Sequence, residues 1–219
     1  MYKGGVVDAS VRPRLRGRLH QVAFVASIPA GGVVVAAATT VEARVAAAVY
    51  ALSLVALYGA SGAYHWLRVE SHKKRVLRRI DHSMIYVLIA GTTTPVALLA
   101  LDGGWAVAVV ATVWVGALSG VALKVVAKSV GGVAGSALYI VLGWAVLLAL
   151  PQLVRGLSDG QLGLLLAGGA LYTVGAVVLL RRRPDPLPAV FGYHELWHCF
   201  VVVAGICHYV LIFQLGRAA

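Results

Sequence analysis

The chain has 219 residues, of which 60% are hydrophobic and only 12% are charged. Soluble domains average about 25% charged residues, so this composition, with a mean hydropathy of +0.87, excludes an ordinary soluble domain and indicates a polytopic membrane protein. A formal net charge of +11 is typical of nucleic-acid-binding proteins when a domain is soluble. In a membrane protein, basic residues set the orientation instead, and we expect no nucleic-acid partner.

Seven apolar runs are each long enough to cross a bilayer, which takes roughly 17–25 residues. In chain order they cover residues 19–39, 45–66, 82–101, 105–124, 133–151, 160–180 and 195–215. Pro29 marks a point at which the first helix can kink, and Asp102-Gly103-Gly104 predicts a tight turn after the third run. We therefore predict an all-α bundle of seven transmembrane helices, with residues 1–18 as a basic tail and residues 19–219 as a single transmembrane domain.

The basic residues are distributed unevenly between the two sides of this bundle. Sixteen of the nineteen lie in the tail, after run two, at the end of run four or between runs six and seven. The other three are Arg44, Arg155 and Arg217. Because Lys and Arg collect on the cytoplasmic side, we predict a cytoplasmic N-terminus and an external C-terminus. The basic segments then lie beside anionic headgroups, which makes membrane lipids the expected partners.

The last run begins with His194-Glu195-Leu196-Trp197-His198, a match to the H-E-x-x-H pattern of zinc sites. Histidines four apart share one face of a helix, with Cβ atoms about 5–6 Å apart. The predicted orientation brings His65, at the end of run two, to the same cytoplasmic depth. Three histidines and a water complete a tetrahedral catalytic zinc site. We therefore predict zinc ligands at His65, His194 and His198.

Further polar groups are expected around these ligands. Ser61 shares a helix face with His65 and can bond the zinc water, while Asp81 at the start of run three can orient that water or take its proton. Both are predicted catalytic residues. Glu195 is either a general base, as in soluble metalloproteases, or a helix cap that supports the ligands, and we favour the cap. His208 lies roughly 15 Å farther along the helix, too far to bind the same metal.

Some residues fit more than one interpretation. His208 is either a buried, hydrogen-bonded histidine or part of a deeper polar pocket. His20 lies at a similar depth to the ligands, and we interpret it as a helix-start residue rather than a supporting group. Glycines at helical spacing, such as Gly168 and Gly175, favour packing within one chain over a dimer interface, although the oligomeric state stays open.

Three motifs follow one another in order along the chain. They are Ser61-Gly62-Ala63-Tyr64-His65, Asp81-His82 continuing to Gly91-Thr92-Thr93-Thr94-Pro95, and Phe191-Gly192-Tyr193-His194-Glu195-Leu196-Trp197-His198 with Gly205 and His208. Together they resemble the bacterial hemolysin III family, which is related to the progestin and adiponectin receptors. The resemblance implies a seven-helix fold in the bacterial plasma membrane, with zinc near the cytoplasmic side. It implies the same ligands, His65, His194 and His198, with Ser61 and Asp81 around the zinc water.

The sequence is consistent with three functions. The first is an intramembrane zinc hydrolase of amide or ester lipids that reach the site from the inner leaflet, since relatives have been proposed to act on ceramide-like lipids. The second is a non-enzymatic sensor or regulator of membrane lipid state, in which zinc is structural. The third is the cytolytic activity in the family name. A histidine-lined ion pathway is weaker, because the ionisable residues cluster at one face.

Overall fold

A computed structural model describes residues 13–126 and 133–219, and this part of the chain is built almost entirely of helices. Seven helices are long and apolar enough to cross a membrane, which confirms the predicted fold class. The helices are α1 (Arg18–Ala37), α2 (Val41–Trp66), α3 (Ser71–Ala100), α4 (Gly103–Val126), α5 (Val133–Trp144), α6 (Leu150–Gly156), α7 (Asp159–Arg181) and α8 (Tyr193–Ala218).

Two predicted boundaries were wrong. Helix α3 begins at Ser71 rather than at residue 82, so the basic segment that we assigned to a loop forms its first turns. The fifth run does not form one α-helix over 133–151. It consists of α5, a 3₁₀ turn over Ala145–Ala149 and α6, and the segment long enough to span is Ala137–Gly156. Pro29 lies inside α1, which continues through it to Ala37.

The ends of α1 and α8 can be placed relative to the predicted site. Thr39, just after α1, donates its backbone N–H to the carbonyl of Gly216 near the end of α8. The two helices therefore run side by side in the same direction, and both end at the face opposite their starts. The start of α1, the end of α2, the start of α3 and the start of α8 all lie at one end of the bundle.

Close packing of α7 against α8 depends on small residues. A Cβ at Gly175 would come within 2.7 Å of Trp197 and Phe200, so only glycine permits this approach. A Cβ at Gly91 on α3 would come still closer to the side chain of Ser53 on α2. These contacts fix the relative positions of the helices that hold the polar groups.

Candidate metal centre

The first turn of α8 is fixed by a network around Glu195, whose side chain is only 1% exposed. Its Oε2 accepts the backbone N–H of Gly192 at 2.9 Å, so Glu195 caps its own helix. Its Oε1 pairs with Nε of Arg16 at 2.5 Å. Asp185 accepts the backbone N–H of Tyr193 at 2.8 Å. The glutamate therefore has the capping role that we favoured, and both of its oxygens are engaged.

The three predicted ligands come together at this end of the bundle. His65, His194 and His198 each offer an atom for a metal ion, and these atoms all lie within 4.8 Å of one another. The ring centroids are separated by 4.9 Å for His65 and His194, 5.2 Å for His65 and His198, and 4.6 Å for His194 and His198. His198 is 2% exposed and His65 is 6% exposed. The group can hold a metal ion away from bulk water.

The spacing of one pair of nitrogens fits a tetrahedral metal. Nε2 of His194 lies 3.2 Å from Nε2 of His65. Zinc–nitrogen bonds of 2.0–2.1 Å at tetrahedral angles place two ligand nitrogens about 3.3 Å apart. A hydrogen bond between two imidazoles that share one proton gives a similar separation. Such a bond does not explain why a third ring lies beside the pair. It also does not explain why the buried Nδ1 of His198 has no hydrogen-bond partner in the described residues.

A fourth histidine belongs to the same cluster. The ring of His20 stacks on that of His198 with centroids 3.7 Å apart and planes 12° from parallel. Its Nδ1 shares a 2.8 Å hydrogen bond with the hydroxyl of Ser61. Our interpretation of His20 as a helix-start residue was therefore incomplete: it lies in the first turns of α1 and also contacts a predicted ligand. The shared depth of His20 and the ligands was the only signal in the sequence.

Ser61, besides its bond with His20, lines the same cavity as the predicted acid Asp81. The neighbouring His82 bonds through Nδ1 to the carbonyl of Arg78 at 2.8 Å and does not join the three-histidine group. Asp81, Ser61 and His20 therefore lie together beside the three candidate ligands.

A single cavity of about 550 Å³ extends from this cluster into the bundle. At one end it is lined by Asp81, Ser61 and His198, and at the other by Leu165 and His208. Its walls between these ends are largely apolar and come mainly from α3, α5, α7 and α8. Its volume lies within the usual range of roughly 300–1,000 Å³ for small-molecule sites.

Together these features define a seven-helix membrane protein with a buried three-histidine group at one end of the bundle. The family model described as Haemolysin-III related matches residues 9–209. The chain is 36% identical to Hemolysin-3 of Bacillus cereus over 188 residues, which cover 84% of this chain and 82% of that protein. It is 34% identical to the Hemolysin-3 homolog of Bacillus subtilis (strain 168) over 156 residues, or 70% and 69% of the two chains. This chain belongs to the haemolysin-III-related family and is a multi-pass protein of the bacterial inner membrane.

Proposed function

We propose that this protein is a zinc-dependent hydrolase that cleaves amide or ester lipids at the cytoplasmic side of the membrane. The observation that carries the proposal is the arrangement of three convergent histidines and a carboxylate at the end of one largely apolar cavity. A structural zinc site is usually closed by four protein ligands, whereas catalytic sites have three. Only three ligating side chains converge here among the described residues.

His65, His194 and His198 would hold the ion. Zinc at such a site supplies a Lewis acid that activates water and polarises a carbonyl. Asp81 accepts the proton of the attacking water on its carboxylate and passes it to the departing amine or alcohol. The new carbon–oxygen bond forms first, the bond from the carbonyl carbon to the leaving nitrogen or oxygen then breaks, and the products are a fatty acid and the corresponding amine or alcohol. Ser61, which bonds with His20 and lines the same cavity as Asp81, orients that carboxylate.

The cavity suits the acyl chain of such a lipid. It begins at the metal centre and continues along α8 toward His208, inside the hydrophobic part of the bundle. A lipid whose carbonyl lies at the histidines can therefore bury its chain between the helices. With the predicted orientation, the polar end of the substrate comes from the inner leaflet.

Zinc content is the first measurement. We expect purified protein to hold one zinc ion per chain by elemental analysis, and His198→Ala to lose it. The matched control is His72→Ala, since His72 is an exposed histidine near the start of α3 and should leave the zinc content unchanged. Absence of zinc from the unaltered protein, or equal loss in both variants, would refute the ligand set.

Turnover is tested separately with vesicles that contain one amide lipid and one ester lipid. We expect fatty acid release by the zinc-loaded protein, and no release by Asp81→Asn, which should still bind zinc because Asp81 is not one of the three ligands. Zinc binding without release of fatty acid from either lipid would favour the sensor function. Lysis of vesicles by Asp81→Asn at the unaltered rate would favour the cytolytic function that the name of the Bacillus cereus relative suggests.

A further inference from the structure

The cavity has a second polar group far from the metal centre. His208 is ten residues after His198 on α8, which corresponds to roughly 15 Å along the helix axis. Its side chain is 7% exposed and lines the same cavity. A buried imidazole at membrane depth is costly unless its polar atoms are hydrogen-bonded, so both of its nitrogens need a partner.

The environment of His208 determines what that partner is. Nε2 lies 3.3 Å from the carbonyl oxygen of Leu165, and because a carbonyl can only accept, Nε2 carries the hydrogen. In a neutral imidazole Nδ1 is then an acceptor, and this atom has no hydrogen-bond partner among the described residues. Gly168 lies directly against the ring, on the side of Nε2. The missing partner must therefore donate a hydrogen bond.

The hydroxyl of Thr173, which also lines the cavity, does not supply this bond. It donates to the carbonyl of Gly169 at 2.8 Å and accepts from Nε1 of Trp144 at 3.0 Å. Its hydrogen is therefore already used. Tyr172, whose ring centroid lies 5.6 Å from that of His208, makes no hydrogen bond to Nδ1 either. A bound molecule that reaches this part of the cavity can supply the donor.

We infer that Nδ1 of His208 accepts a hydrogen bond from a hydroxyl group on the hydrocarbon chain of the bound lipid. The inference rests on the proposed function, because it places the carbonyl of that lipid at the three histidines and its chain along the cavity. The separation of His208 from the ligands then requires the hydroxyl to lie near the middle of a long acyl chain. The substrate class is a lipid with a mid-chain hydroxylated acyl group.

The test measures how well three unlabelled acids displace tritiated octadecanoic acid from zinc-loaded protein in phosphatidylcholine nanodiscs. They are unlabelled octadecanoic acid, the same acid with a hydroxyl at mid-chain, and the isomer with the hydroxyl beside the carboxylate. We expect the mid-chain isomer to bind about tenfold more tightly than the other hydroxy acid, the effect of one buried hydrogen bond. His208→Leu should abolish this preference, and His208→Gln, which restores an acceptor, should recover part of it.

The possible outcomes separate the two proposals. Equal affinity for the two hydroxy acids in the unaltered protein would overturn the role of His208 and leave Nδ1 to a water molecule, while metal-dependent binding of octadecanoic acid would still support the lipid site. Failure of every acid to compete would overturn both proposals. The comparison of isomers in the unaltered protein needs no variant, so misfolding of His208→Leu would not prevent a decision.

Discussion

Arg16 and Glu195 form an ion pair between the N-terminal segment and α8, with side-chain exposures of 20% and 1%. We predict that Arg16→Ala lowers the free energy of unfolding by roughly 2–4 kcal/mol, because it leaves a buried carboxylate without its counter-charge. The lower limit of this range applies because Arg16 is partly exposed to solvent. Denaturant unfolding in detergent measures the change, and Arg14→Ala, which removes an exposed arginine two residues earlier, is the control.

A double variant identifies the cause of that loss. Glu195→Gln keeps an amide oxygen for the backbone N–H of Gly192 and removes the charge. In the Arg16→Ala background it should therefore recover most of the lost free energy of unfolding, so the two changes are not additive. Glu195→Gln alone should retain zinc. Complete loss of zinc from that single variant would show that Glu195 has a more direct role at the metal than its two hydrogen bonds indicate.

The stacked pair of His20 and His198 leads to a prediction about metal affinity. We expect His20→Ala to weaken zinc binding about tenfold, because a metal ligand loses the ring that fixes its orientation. His20→Phe keeps a flat ring at this position and should restore most of the affinity. Competition with a zinc-sensitive dye measures both. An equal loss in the two variants would assign the effect to the bond with Ser61 instead of the stacking.

The convergence of the three histidines was predictable from sequence, whereas the contacts of His20 and Arg16 with α8 were not, for a physical reason. The spacing of His194 and His198 follows from the period of a helix, and the depth of His65 follows from counting spans. The contacts of His20 and Arg16 depend on how α1 and the preceding segment pack against α8. Periodicity gives the depth of a residue in the membrane but not which helices are neighbours.

At the scale of elements, the start of α1 is fixed by one glycine. Gly17 has a φ of 79°, in the left-handed region, and a Cβ at this position would overlap the Cβ of His65. We predict that Gly17→Ala lowers the free energy of unfolding by more than about 2 kcal/mol, through backbone strain and this overlap. It should also weaken zinc binding, because it displaces a ligand. Unfolding and zinc titration test both effects.

The same helix offers a matched control. Gly32 lies in α1 and has no atom within 4 Å of an added Cβ. Gly32→Ala should leave zinc affinity unchanged and stabilise the protein by about 0.5–1 kcal/mol, since alanine has the higher helix propensity. A similar destabilisation by both substitutions would mean that α1 responds to any added methyl group and that the contact with His65 is not special.

The boundary errors in α3 and the fifth span have different causes. The basic residues before Asp81 were taken as a loop because they are too polar for the bilayer, yet Arg, Lys and Leu are good helix formers and continue the helix beyond the membrane. The fifth run is apolar throughout, so nothing in its hydropathy marks the change to a 3₁₀ turn at Ala145. Hydropathy reports where a segment lies and not how its backbone winds.

For the whole molecule, the orientation in the membrane decides which leaflet supplies the substrate. The metal centre lies where α1 and α8 begin, and sixteen of the nineteen basic residues belong to segments on that side in the predicted topology. Because basic residues collect in the cytoplasm, we predict that this face is cytoplasmic. Alkaline phosphatase fused after Ala219 should be active, since it folds only outside, and green fluorescent protein at the same point should be dark.

The matched fusion is made in the segment between α2 and α3, after Glu70. There the outcome should be reversed, with a fluorescent protein that is bright and a phosphatase that is inactive, because this segment lies on the same side as His65. If both fusions gave the opposite results, the metal centre would face outward. The lipid substrate would then come from the outer leaflet. The basic segments would lie outside the cell, contrary to the charge rule, so another force would have to orient the bundle.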